Sequence, residues 1–477
     1  MNKLAFSLRV GLIFAIGILA SIYVVIARPG YLTNVEYLGA LLFLEFLAAV
    51  IWNYRQRFFP FLLLIFLLAG TEVPLSGVWD IARWVVLAVG AVCGVVIYFK
   101  DRSHSFYAFH LAALFCVVAA GTSAVVCSYP EQALLKTLSL SLLFIYGSCG
   151  ARLVLMREEQ KFLSGLLLGC ELLIYFTGVQ YFILRNQFFG NPNSLGMVMG
   201  VAGAPLMLWG VLVSESVQIQ RRRTFALVLS LGLLLSSYAR AGEIAAAVSC
   251  TLLCLALGRY RMLLKGIGIT VLLAIAVTAL VPLPNAPESS ANLRSKFLFK
   301  GKEQGGMLGS RRSVWDLTIS SIQQNPWFGS GFGTISTTYD SNQGRVGDFS
   351  SNSFTTREHG SSYLAIVEGV GLLGVVPFFC LLILVAANIG RALMRLWRTK
   401  DPTAPEVALA FVLMAALVHA LFEDWLFAVG NYVCIFFWTL AFVLPDVLRG
   451  KDTTVAQREI SEIHEAWAES VAVPSSL

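Results

Sequence analysis

Charged side chains are scarce in this sequence. They make up 13% of its 477 residues, whereas hydrophobic residues make up 57%, and the mean hydropathy is +0.73. A water-soluble globular chain carries about 25% charged residues, because most of its surface must be polar. The composition therefore excludes an ordinary soluble domain. The apolar content is large enough for a dozen or more membrane-spanning helices of about 20 residues each.

The chain also lacks the patterns of metal, disulfide and nucleic-acid-binding proteins. Most of its nine cysteines lie within apolar runs, and Cys250 and Cys254 have no histidine or acid at ligand spacing. We therefore expect no metal, no cofactor and no disulfide framework. The net charge of +7 is distributed over the ends of apolar runs, which indicates membrane orientation and membrane lipids as neighbours, not nucleic acid.

Apolar runs between charged or Pro/Gly breaks predict an all-α polytopic membrane protein with about 12–14 transmembrane helices. Runs of this length suit helices better than the short alternating strands of an outer-membrane barrel. The runs lie near 11–27, 36–53, 58–76, 84–99, 106–127, 133–151, 162–184, 194–214, 224–239, 242–258, 263–282, 363–390, 405–422 and 425–444.

Basic residues predict the orientation of these helices. Of the 35 Lys and Arg residues, 22 fall in alternate loops on one side, five in the short loops on the other side and eight in the long polar segment 283–361. Cytoplasmic loops carry the excess of basic residues. We therefore expect both termini in the cytoplasm and 283–361 as one large outer loop containing short helices. A loop of this length inside a compact protein is usually functional.

Basic side chains and a histidine fall on this outer side. Arg311 and Arg312 open an amphipathic helical pattern, Arg240 lies in an apolar stretch with little room for a loop, and His359 stands where the chain re-enters the membrane. Guanidinium groups bind phosphate through two oxygens at once, and histidine is the usual base near neutral pH. These residue types indicate an anionic substrate and a proton transfer.

Other interpretations of the same residues stay open at this point. Arg311 and Arg312 could anchor lipid headgroups, and His359 alone could be an ordinary surface histidine. Arg240 could form an internal ion pair with Glu243, three residues further on.

Two further polar groups lie on the outer side. Asn191 and Asn193 surround a proline before an apolar run, where they could bind sugar hydroxyls or form a turn. A second cluster, formed by His419, Glu423 and Asp424, lies on and after the thirteenth apolar run.

Taken in order, these stretches resemble the O-antigen ligase and polymerase superfamily of bacterial membrane glycosyltransferases. The resemblance covers about residues 185–425. The matching stretches are Gly190-Asn-Pro-Asn-Ser194, Ser237-Tyr-Ala-Arg-Ala-Gly242, Ser310-Arg-Arg-Ser-Val-Trp315, Asn325-Pro-Trp-Phe-Gly-Ser-Gly-Phe-Gly333, and His359-Gly-Ser-Ser-Tyr-Leu364 with Glu368 and Gly371-Leu-Leu-Gly374.

The resemblance implies an activity and a location. In that family a glycan linked to undecaprenyl diphosphate is transferred, without a metal and with inversion, to an acceptor on the periplasmic face of the inner membrane. The implied partners are a polyprenyl-diphosphate-linked glycan donor and a glycan or lipid A-core acceptor. We accordingly expect N-terminal transmembrane helices in 1–184, the ligase-like transmembrane region in 185–444 and a cytoplasmic tail in 445–477.

The resemblance also implies roles for individual residues. Arg240 and one of Arg311 or Arg312 would hold the diphosphate, and His359 would deprotonate or orient the acceptor hydroxyl. Candidate acceptor-binding residues are Asn191, Asn193, Glu358 and Glu423.

Other functions are compatible with the sequence. A ligase and a polymerase differ only in their acceptor, so both stay open. A transporter or flippase of lipid-linked sugars, or a non-catalytic partner of a polysaccharide export complex, would also need many membrane helices.

Overall fold

The described part of the protein is predominantly helical. The computed structural model describes residues 58–71, 76–100, 106–152, 159–185, 188–280, 309–334 and 359–449. These residues form thirteen helices and no strand. The helices are α1 Phe58–Ala69, α2 Ser76–Lys100, α3 Ala108–Val126, α4 Pro130–Ala151, α5 Glu159–Gly178 with its extension Val179–Ile183, α6 Pro192–Leu212, α7 Val217–Ser236, α8 Arg240–Ala256, α9 Tyr260–Leu280, α10 Gly309–Gln324, α11 Ser362–Thr399, α12 Pro405–His419 and α13 Tyr432–Arg449.

Eight helices in this part of the chain are long and apolar enough to cross a membrane, and α1 and α12 are shorter apolar helices. The prediction of an all-α polytopic membrane protein is therefore confirmed. The last helix begins at Tyr432 and not near 425, because 420–431 forms a loop. The predicted runs 11–27 and 36–53, most of 283–361 and the tail from 450 lie outside the described residues.

Two helices form the centre of the bundle. Most residues of α6 and α13 are buried, whereas α9 exposes nearly all of its apolar side chains. A helix that is apolar on every side belongs in a core when it is buried and against lipid when it is exposed. Around this centre, α3 packs along α11, and α12 packs between α8 and α11.

A buried ion pair connects α3, α4 and α13. The Arg152 guanidinium bonds to the Asp446 carboxylate, and Tyr107 donates to the same carboxylate at 2.8 Å. The ring Nε2 of His110 lies 3.2 Å from Arg152 Nη1. A charge buried in a membrane protein normally has a partner, and here both charges have one.

Glycines bring α8 against α6. A Cβ atom added to Gly200 would lie 2.4 Å from the carbonyl oxygen of Gly242, and one added to Gly242 would lie 2.3 Å from that of Gly196. Small residues at such crossings let two helix backbones approach closely. Tyr238, in the turn before α8, has a left-handed φ of 50°. The close contact between α6 and α8 fixes the position of Arg240, which begins α8.

A second close contact joins the loop after α10 to α11. Helix α11 is interrupted at Gly371, whose φ is 69°. The freed backbone pairs with the loop, since Ser330 N donates to Glu368 O at 2.8 Å and Leu372 N donates to Pro326 O at 2.8 Å. Ser123 of α3 donates to the Gly369 carbonyl at 2.7 Å. These bonds satisfy backbone groups that the interruption would leave unpaired.

The glycine crossing predicts an effect on stability. Gly200→Ala should lower the stability of the detergent-solubilised protein by about 1–3 kcal/mol, because overpacking forces backbone to shift. Gly232→Ala is the matched control, since no atom of the described residues outside its own helix backbone lies within 4 Å of its added Cβ. Thermal unfolding of both variants measures the difference. Equal midpoints for the two variants would contradict the close-crossing account.

Candidate functional site

One large cavity lies where the loop 420–431 and the start of α11 meet the helix bundle. Its volume is about 660 Å³. The polar residues that line it come from the start of α6, the start of α11 and the loop 420–431, and also from α2 and α4. They include Asn191, Asn193, His359, Glu423, Asp424, Arg83 and Lys136.

His359 is held between two carboxylates. Its Nδ1 lies 2.7 Å from Asp424 Oδ2, and its backbone N–H donates to the same oxygen at 2.9 Å. Its Nε2 lies 3.3 Å from the buried Glu368 carboxylate. An ionised carboxylate only accepts hydrogen bonds, so Nδ1 carries the proton that points at Asp424. Nε2 is then the nitrogen that can exchange a proton, and both carboxylates can neutralise the charge that the ring acquires.

The loop 420–431 is tied to the start of α11. Ser362 Oγ donates to the Glu423 carbonyl at 2.6 Å and accepts from Leu426 N–H at 3.1 Å. The Trp438 indole donates to the Leu426 carbonyl at 2.7 Å. These bonds give the loop a fixed path, so the side chains of Glu423 and Asp424 have fixed positions.

The surroundings of Asp424 favour its ionised form. Burial alone would raise the pKa of its carboxyl, but the ring and backbone hydrogen bonds from His359 outweigh burial and lower the pKa below its ordinary value. The carboxylate is therefore charged at neutral pH. It can hold the histidine ring in one orientation, as the carboxylate of a catalytic triad does.

Arg311 and Arg312 differ in their surroundings. The Arg311 guanidinium forms an ion pair with Glu423, and its side chain is 15% exposed. Arg312, the next residue on α10, is exposed. Arg311 also lies within electrostatic range of Arg240, which in turn is attracted by Glu243. The structure thus places Arg311 beside Glu423 and within electrostatic range of Arg240.

Asn191 shapes the start of α6. Its side chain accepts a hydrogen bond from Asn193 N–H at 2.8 Å and caps the helix. Both asparagines line the cavity. The turn interpretation of this motif is confirmed, and the same turn leaves polar groups facing the cavity.

Trp315 and Gly360 connect α10 to the histidine. The Trp315 indole donates to the Gly360 carbonyl at 3.0 Å. Gly360 has a φ of 68°, a backbone conformation that residues other than glycine and asparagine rarely adopt. The residue after His359 therefore turns the chain under α10 before α11 begins.

The structure brings most of the predicted site together. His359, Glu423, Asn191 and Asn193 line one cavity, with Arg311 bonded to Glu423. Glu358 lies outside the described residues.

Four residues of the site were not predicted as functional. Glu368 lies in one of the stretches that carry the family resemblance, and Asp424 lies in the polar cluster with His419 and Glu423. The adjacent acids at 423–424 could have indicated a site. Arg83 and Lys136 are two of the five basic residues that the sequence assigns to the short loops opposite the basic side, and nothing in the sequence connects them to His359.

A comparison with known protein families finds a match that includes several of these site residues. Residues 225–379 match the family model described as O-antigen ligase. This region of the chain is similar to O-antigen ligases. The predicted resemblance is confirmed over the matched residues, which include Arg240, Arg311 and His359. The similarity supports glycosyl transfer of the O-antigen ligase or polymerase type in general. No match was found among curated proteins.

The lowered pKa of Asp424 predicts how pH affects stability. A carboxyl whose pKa is lower in the folded protein stabilises it above the unfolded pKa of about 3.9 and loses that contribution as pH falls through the folded pKa. Asp424→Asn should therefore reduce the thermal midpoint at pH 7 and reduce it less at pH 3, below the unfolded pKa. Glu215→Gln, at an exposed position, is the control and should show no such trend. A deficit in Asp424→Asn that is the same at both pH values would contradict this account.

Proposed function

We propose that this chain transfers a glycan from a polyprenyl diphosphate to an acceptor hydroxyl at the periplasmic face of the bacterial inner membrane. The observation that carries the proposal is His359, which lines the cavity with Nδ1 fixed by Asp424. The similarity of residues 225–379 to O-antigen ligases supports it. In this orientation both termini are cytoplasmic, as the distribution of basic residues predicts.

His359 acts on the acceptor. The acceptor hydroxyl gives its proton to Nε2 while its oxygen attacks the anomeric carbon of the donor. The ring becomes an imidazolium, whose charge is balanced by Asp424 at 2.7 Å and Glu368 at 3.3 Å. A positioned base of this kind contributes about 10²–10⁴-fold in rate.

Arg240 and Arg311 act on the leaving group. As the bond from the anomeric carbon to the diphosphate breaks, its electron pair passes to the diphosphate oxygen. Guanidinium groups already in place stabilise this charge without reorganisation. We assign the role to Arg311 and not to Arg312, because Arg311 lies near Arg240 and Glu423 whereas Arg312 is exposed. The proposal gives charge neutralisation to arginine, so it needs no metal ion.

The acceptor sugar occupies the cavity. Asn191, Asn193 and Glu423 line it and offer hydrogen bonds to hydroxyl groups, and Glu358 adjoins the histidine in sequence. A single displacement inverts the anomeric centre. A ligase and a polymerase would share this donor chemistry and differ in the acceptor that fills the cavity.

Because His359 and the arginines have different roles, substitutions of them should affect transfer rate and donor binding differently. His359→Ala should lower transfer by about 10²-fold or more, because it removes the base, and should leave donor binding near the wild-type value. Arg240→Lys and Arg311→Gln should weaken binding of the diphosphate donor, because they remove the bidentate fork. The measurements are transfer rate and donor affinity with purified protein, lipid-linked donor and acceptor.

Arg312→Gln is the matched control for Arg311→Gln. It removes the same charge from the neighbouring exposed position and should keep both binding and transfer. Full transfer activity in His359→Ala would remove the histidine from the mechanism. Donor binding without transfer in every assay of the wild-type protein would favour a transporter instead.

A further inference from the structure

Two cations on the N-terminal helices line the same cavity as His359. Arg83 lies on α2 and Lys136 lies on α4. Both precede the region that matches the O-antigen ligase model, 225–379. The two side chains are close enough to repel each other electrostatically. Asp80 pairs with Arg83, so one of the two positive charges is already balanced, and an anion in the cavity would balance the other.

Lys136 faces the cavity without a carboxylate partner among the described residues. Its aliphatic stem passes over Gly333, where an added Cβ would lie 3.1 Å from Lys136 Cγ. Gly333 has φ of 70°, so glycine is favoured there on both conformational and steric grounds. The glycine leaves room for the lysine stem to reach the cavity.

Arg83 is held in place and retains bonding capacity. Its Nη2 pairs with Asp80 at 3.2 Å, and its Nη1 donates to the Gly430 carbonyl at 3.3 Å. The guanidinium also lies 5.1 Å from the centre of the Trp84 ring. Its buried Nε has no hydrogen-bond partner in the described part of the protein. A guanidinium fixed in this way is prepared for a ligand, because little side-chain entropy is left to lose.

The cavity carboxylates do not neutralise this pair. Glu423 is bonded to Arg311, and Asp424 is bonded to His359. Neither Arg240 nor Arg311 is among the residues that line the cavity. In the described cavity, Glu423 and Asp424 therefore pair with Arg311 and His359. Arg83 and Lys136 form a separate cationic cluster.

We propose that Arg83 and Lys136 form a second anion-binding subsite, which takes a phosphate or carboxylate group of the acceptor. The assignment to the acceptor rests on the proposed function, in which Arg240 and Arg311 hold the donor diphosphate. An anionic group bound by Arg83 and Lys136 orients the acceptor in the cavity, so that its hydroxyl reaches His359. The subsite thus selects acceptors that carry negative charge.

Residue-specific acylation tests the subsite without any transfer reaction. Purified full-length protein is treated with an acetylating succinimidyl ester, and the modification of each lysine is followed by mass spectrometry. Inorganic phosphate, compared with chloride at equal ionic strength, should slow the acylation of Lys136 in the wild type. This protection should be lost in Arg83→Gln and kept in Arg83→Lys. Lys265, exposed on α9, is the internal control and should react equally under all conditions.

The outcomes separate the subsite from the proposed function. No protection of Lys136 by phosphate, or equal protection in Arg83→Gln, would overturn the subsite. Undecaprenyl diphosphate should leave the acylation of Lys136 unchanged, and protection by it would assign the two cations to the donor and overturn the acceptor assignment. Absence of glycan transfer by the wild-type protein would overturn the proposed function. The acylation result would stay the same, because it does not depend on transfer.

With an anionic acceptor, the subsite also predicts a kinetic signature. Lys136→Gln should raise the acceptor KM by roughly tenfold, the usual cost of losing one hydrogen bond to a charged group. The maximal rate should stay close to that of wild type, and Lys136→Arg should restore most of the affinity. An unchanged KM in Lys136→Gln would contradict the role of the lysine.

Discussion

Asp424 accepts two hydrogen bonds from His359, one from the ring and one from the backbone, and the site depends on this contact. It joins the loop before α13 to the start of α11. It settles which ring nitrogen carries the fixed proton, and the bonds of Ser362 to the same loop hold the carboxylate in place. A histidine on an unsupported loop would have no preferred ring orientation. With this support, Nε2 is the nitrogen left for proton transfer.

The cavity is assembled from regions far apart in the sequence. The segment similar to O-antigen ligases supplies His359, Arg240 and Arg311. The helices before it supply Arg83 and Lys136, and the loop after it supplies Glu423 and Asp424. In our account the matched segment therefore supplies both the base for the acceptor hydroxyl and the arginines that stabilise the leaving diphosphate. The flanking helices shape the space that the acceptor must fill.

Much of the fold follows from the sequence, because long apolar runs have few alternatives in a membrane. The start of α13 was predicted too early since Trp425 and Leu426 are apolar, yet their loop bonds to α11 and α13. His359 was recognised from its position in an ordered motif. Its partner Asp424 is 65 residues away, and the Arg311–Glu423 pair spans 112 residues. Such pairings depend on how helices pack, which local patterns do not encode.

The most direct test of the central claim measures single-turnover transfer by Asp424→Asn with the donor at saturating concentration. Asparagine keeps the size of the side chain but removes the charge that fixes the ring and balances the imidazolium. We predict a rate at least about 10²-fold below wild type, with donor affinity unchanged. A transfer rate equal to that of the wild type would contradict the account, since His359 would then act without the carboxylate that positions it.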